Sequence, residues 1–90
     1  MNKADLINAV TEKTDLSRVE IEAIADEFLQ LIEEEIIKGH EVKISNFGVF
    51  YKKERLARKG TNPSDGAPII IPANNTVGFR PSKILKEKLN

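Results

Sequence analysis

Ninety residues make one domain and leave no room for a second. The absence of cysteine excludes disulfides and thiolate metal sites, and the apolar runs are too short for a membrane span or a secretory signal, so a soluble intracellular protein is expected. The formal net charge is zero, yet residues 1–40 hold four cations against ten anions (−6) and residues 41–90 hold ten cations against four anions (+6). That contrast between halves points to a surface for a polyanion, approached from one side only.

Asn2, with Asp5 three residues on, predicts a capped first helix over Lys3–Lys13, with Leu6, Ile7 and Val10 on one face. Ser17 and Glu20 form a cleaner capping box, opening a long helix that ends at Gly39. Within it Ile21, Ile24, Ala25, Phe28, Leu31, Ile32 and Ile36 recur at helical spacing, and the outer face is acidic. A chain this short hides only about 60% of its unfolded surface, so this stripe is expected to form a core shared with a second copy.

From Glu41 the period changes to two. Val42 and Ile44 alternate with Lys43 and Ser45; Asn46-Phe47-Gly48 makes a tight turn, and a second strand runs from Val49 to Lys53. The segment Arg55-Leu-Ala-Arg-Lys-Gly-Thr-Asn-Pro-Ser-Asp-Gly66 is basic and nearly free of large apolar residues. A segment that cannot bury a core yet lies between strands reads as a projecting ribbon, with its tip at about Gly60–Gly66, where Asn62-Pro63 and Asp65-Gly66 are turn dipeptides. Alternation puts Lys53, Arg55 and Lys59 on one ribbon face and Arg58 on the other. The return strand, Pro68–Pro72 and Thr76–Arg80, is interrupted at Pro72-Ala-Asn. Ser82 caps a last helix over Lys83–Leu89.

Catalytic groups are scarce. There is one histidine, His40, without an evident partner, and no glycine-rich phosphate loop. Glu33-Glu34-Glu35 cannot converge on a metal, because consecutive helical residues face different ways. No enzyme, metal or cofactor is expected. The basic arm instead suits duplex DNA: Arg and Lys neutralise phosphates, and proline is one of the wedges that slide between base steps.

Ile44-Ser-Asn-Phe-Gly-Val-Phe50, Arg55-Leu-Ala-Arg-Lys-Gly-Thr-Asn-Pro63, Gly66, Ile71-Pro-Ala73 and Phe79-Arg-Pro-Ser-Lys83 together resemble the bacterial histone-like HU and integration host factor family. The resemblance covers the whole chain. It implies an α+β fold, with a helical base of two N-terminal helices and a short C-terminal one, a three-stranded antiparallel sheet, and a long β-ribbon arm. It divides the chain into a helical dimerisation region (1–40), the sheet and arm (41–80) and a C-terminal helix (81–90). It also implies an intertwined homodimer, or a heterodimer with a paralogue, that wraps the minor groove and compacts DNA in the nucleoid of the cytoplasm with little sequence specificity. No membrane or small-molecule substrate is implied.

By that resemblance Pro63 is the intercalating wedge and Asn62 flanks it. Lys53, Arg55, Arg58, Lys59 and Arg80 bind along arm and saddle, with Lys3, Lys83 and Lys86 clamping phosphates beside the body. Phe28, Leu31, Ile32, Ile44, Phe47, Phe50 and Phe79 form the dimer core. The chain departs from the family pattern at Thr61 and Asn75, DNA-binding positions where a cation is usual or frequent, and at Asn46, where glycine is common. These departures imply weaker, less salt-sensitive binding. They also leave open a second reading, a dimer used mainly for protein assembly with its DNA affinity largely lost.

Overall fold

The computed structural model describes residues 1–90, with eight elements in chain order: α1 (Lys3–Lys13), α2 (Arg18–Ile37), β1 (Val42–Ile44), β2 (Gly48–Arg55), β3 (Arg58–Thr61), β4 (Pro68–Ile71), β5 (Asn74–Pro81) and α3 (Lys83–Leu89). The fold is α+β, as the resemblance implies.

Each helix starts where its cap is written. Asn2 Oδ1 accepts from the Asp5 N–H at 2.9 Å, and Asp5 Oδ2 accepts from the Asn2 N–H at 3.0 Å, a complete capping box. At α2 the Ser17 hydroxyl accepts from the Glu20 N–H at 3.2 Å, but the Glu20 carboxylate binds that same hydroxyl instead of reaching back to the backbone. The end of α2 is a Schellman motif: the Gly39 N–H donates to Ile36 O and the His40 N–H to Glu35 O, both at 2.9 Å. Ser82 Oγ caps α3 through the Leu85 N–H at 3.0 Å.

The strands form two antiparallel ladders. β1-β2-β5 is a three-stranded sheet, and β3-β4 is a separate two-stranded ribbon. β2 pairs with β5 from Gly48↔Pro81 to Arg55↔Asn74, and β3 with β4 from Arg58↔Ile71 to Thr61↔Pro68. The second register continues the first in phase. Had the ladder run on, Leu56 would face Ala73 and Ala57 would face Pro72. The outgoing and returning chains are thus interrupted at the same level, where Pro72 offers no amide hydrogen.

The chain divides into two compact units, Met1–Glu34 and Glu35–Asn90. Neither closes a core of its own. Ile7, Ile21 and Ile36 are the only buried apolar side chains. In the first unit Leu6, Val10, Ile24, Phe28 and Leu29 line an open apolar groove, with Phe28 56% exposed, and Leu31 beyond it is 57% exposed. In the second unit the rings of Phe47, Phe50 and Phe79 cluster with centroids 4.8–6.4 Å apart, yet Phe47 and Phe79 stay 44% and 39% exposed. Of the remaining expected core residues, Ile32 and Ile44 are half-buried.

Candidate nucleic-acid interface

Directly paired residues in an antiparallel ladder point to the same side, so register assigns every side chain of the sheet to a face. One face carries the phenylalanine cluster with Val42, Ile44 and Val77. The other carries Lys43, Val49, Tyr51, Lys53, Arg55, Asn74, Thr76, Gly78 and Arg80. Its four cations are exposed, and none of its strand residues is acidic. Lys53, Arg55 and Arg80 of the expected set are thereby brought onto one surface. Lys43 joins them there, although in the sequence it shows only as the polar half of a short alternation.

Arg80 is held more firmly than a surface arginine requires. Its Nη2 donates to Glu41 Oε1 at 3.1 Å, and its Cζ lies 4.8 Å from the centroid of the Tyr51 ring, within the range of a cation–π contact. The Tyr51 ring lies flat across the neighbouring strand because residue 78 is glycine: a Cβ there would sit 2.2 Å from Tyr51 Cζ. Lys43, Arg80 and Lys86 also line one shallow concavity with Ser45 and Ser82. Lys83 sits on the same short helix as Lys86, largely exposed and 3.9 Å from Glu87.

In the arm, Arg58, Gly60, Ile69 and Ile71 share one face, and Lys59, Thr61, Pro68 and Ile70 share the other. Because the register resumes in phase, Lys59 keeps the parity of Lys53 and Arg55, and Arg58 the opposite one. The ribbon is nonetheless two ladders, not the single strand that alternation implies. Its tip is the loop Asn62–Ala67, so Gly60 belongs to the strand.

The tip is tied by its own polar groups. The Asn62 N–H donates to Ala67 O and the Gly66 N–H to Asn62 O, both at 2.8 Å. The Asn62 side-chain amide oxygen accepts from the Ser64 N–H and the Asp65 carboxylate from the Ala67 N–H, both at 2.9 Å, two Asx turns in succession. Gly66 takes φ +73°, which an L side chain resists. Pro63 is left exposed at the apex.

One expected residue of the sheet lies on its other face. Asn75 pairs with Glu54 on the phenylalanine side of the sheet, beside a groove lined by Lys52, Val77, Ile36 and Ile37. Lys3 belongs to the first unit, where its ammonium is paired with Asp26. The hydrogen bond and the charge of Asp26 raise the Lys3 pKa above its ordinary value. His40 has a partner that sequence did not disclose, Glu35 Oε2 at 2.8 Å from its Nδ1.

Comparison with known proteins agrees on one family. The family model described as bacterial DNA-binding protein matches residues 1–90. DNA-binding protein HU of Staphylococcus aureus is 44% identical over 87 residues, 97% of each chain. Integration host factor subunit alpha of an Anaeromyxobacter species is 41% identical over 90 residues, 100% of this chain and 91% of its own. Among solved structures, HU of Anabaena in a cocrystal with DNA superposes with a TM-score of 0.92 at 35% identity, covering 99% of this chain and 97% of its own.

Proposed function

We propose, from the fact that this chain belongs to the family of bacterial DNA-binding proteins, that a dimer of it binds duplex DNA as an architectural protein. It is a binding protein and not an enzyme. The observation that carries the proposal is the cationic sheet face, with Lys43, Lys53, Arg55 and Arg80 together, leading into an arm that adds Arg58 and Lys59 and ends in an exposed proline. Cations along a ribbon neutralise successive phosphates, and a ribbon fits the minor groove. Pro63, held at the apex by the Asx turns of Asn62 and Asp65, acts as the wedge between base steps. Contacts to backbone and groove shape, not to base edges, leave sequence preference low.

The second copy is called for by what one chain leaves bare. Burying Phe28, Leu31, Phe47 and Phe79 against a partner would add about 1.5–3 kcal/mol for each large side chain removed from water. A homodimer is the simplest occupant, and the same surface would accept a paralogue. No helix is long and apolar enough to cross a membrane, and the proposed place of action is the nucleoid in the cytoplasm. Lys3, Lys83 and Lys86 serve as outlying phosphate contacts. Thr61, uncharged on the Lys59 side of the arm, makes the grip lighter and less salt-dependent. The assembly-only reading draws on the zero net charge and on Thr61, but the charge is segregated, not absent, and Arg55, Arg58, Lys59 and Pro63 oppose that reading.

The test is a mobility-shift titration at two salt concentrations on linear, nicked and pre-bent duplexes. Binding that tightens on the nicked or bent substrates and weakens with salt is expected. No shift on any duplex at low salt would reject the function.

A further inference from the structure

The cationic face contains its own competitor for phosphate. Glu41 stands immediately before β1, with the parity of Lys43, and its carboxylate is the only acid paired with a cation of that face. It takes Nη2 of Arg80, the arginine already laid over Tyr51. Both partners remain about half exposed, at 58% for Arg80 and 46% for Glu41, so an incoming anion can reach the pair from solvent.

We propose that Glu41 is a built-in mask on the DNA surface: a phosphate must displace its carboxylate to engage Arg80, and the pair thereby sets how tightly and how salt-dependently the saddle grips DNA. The inference rests on the proposed function and adds a residue that works against it. The chemistry is an exchange of one oxyanion for another. Arg80 offers five N–H donors in a fixed fork, matched equally by a carboxylate and a phosphate. Tyr51 holds the guanidinium in place during the exchange, since its ring packs across Gly78 and does not depend on Glu41. An exposed pair of this kind is weak, so the mask lowers affinity without abolishing it. Once displaced, Glu41 draws a solvent cation back to the complex, which cancels part of the counterion release that drives binding.

The decisive measurement is a double-mutant comparison of wild type, Glu41→Gln, Arg80→Gln and the double variant, each titrated with a short duplex across a salt series. Glu41→Gln should bind about two- to tenfold tighter, with a log–log salt slope steeper by up to roughly one unit per protomer. In the Arg80→Gln background the same substitution should change neither. Melting curves of all four proteins confirm that they are folded. An equal gain in both backgrounds would make Glu41 a general repulsive charge and overturn the mask. So would a loss of affinity in Glu41→Gln, which would make Glu41 an orienting partner of Arg80. If wild type binds but Glu41→Gln is unchanged, this inference alone fails; if wild type shifts no duplex at any salt, the proposed function fails and takes it along.

Discussion

Lys52 and Lys53 are adjacent, equally charged and both exposed, but register sends them to opposite faces of the sheet. Lys53 pairs with Thr76 on the side of Arg55 and Arg80, whereas Lys52 pairs with Val77 on the side of the phenylalanine cluster. If the cationic face is the DNA surface, Lys53→Gln removes one phosphate contact per protomer and two per dimer. With about 0.9 in the log–log salt slope per contact, the slope should flatten by roughly 1.8. Over a fourfold rise in salt, the wild type would then lose about twelvefold more affinity than the variant. Lys52→Gln removes the same formal charge and should leave the slope within error of wild type. Fluorescence anisotropy with a labelled duplex at four or more salt concentrations measures both slopes. Equal flattening by the two variants would mean that overall charge, not the register-defined face, governs binding, and the geometric argument would be wrong.

Three further outcomes are expected. Asn46 holds φ +63° in the turn before β2 without being glycine. Asn46→Gly should relieve about 0.5 kcal/mol, raising Tm by roughly 2–4 °C at fixed protein concentration, and a lower Tm in thermal melts would contradict this. The Lys3 pKa, raised by Asp26 above its ordinary 10.5, means that the pair's stabilisation is complete below that pH and is lost as pH climbs through the folded-state value. The stability difference between wild type and Lys3→Met should therefore be flat from neutral pH to 10.5 and shrink above it, as read by denaturant titrations along a pH series; a difference that does not shrink at alkaline pH would refute the assignment. Pro63→Ala should reduce DNA bending more than affinity, because the wedge is lost while the phosphate contacts stay. Energy transfer between dyes at the duplex ends reports the bend, and equal bending by the variant would remove Pro63 from that role.

The features legible in the sequence are those set by neighbours within a few residues. The caps of Asn2, Ser17 and Ser82 act over three positions, and each opens its helix where the pattern places it. The arm was legible because twelve residues without a large apolar run cannot be core. The features that escaped depend on distant partners. Glu41 and Arg80 are 39 residues apart, and nothing in either neighbourhood announces their pairing. Lys43 gains meaning only when β1 is laid beside β2. Half of the gap in the ribbon was legible, since Pro72-Ala-Asn interrupts the return strand; the outgoing half escaped, because alternation through Leu56-Ala57 looks continuous until Pro72 is set opposite.

That gap has a consequence for how the arm works. If Pro63 is a wedge, it transmits force only from a stiff tip, and Asn62, Asp65 and four consecutive ladder pairs tie the chain there. Closing around a duplex requires bending somewhere, and bending within a ladder breaks hydrogen bonds. At Leu56-Ala57 and Pro72-Ala73 there are no ladder pairs to break, so the ribbon can swing there at little enthalpic cost. Leu56, 84% exposed, offers no packing to resist it. A two-stranded ribbon is marginal on its own, and a joint at its root would ordinarily weaken it further. The two-residue gap sets the stretch without ladder pairs at the base of the β3-β4 ribbon and leaves the four pairs next to the tip intact.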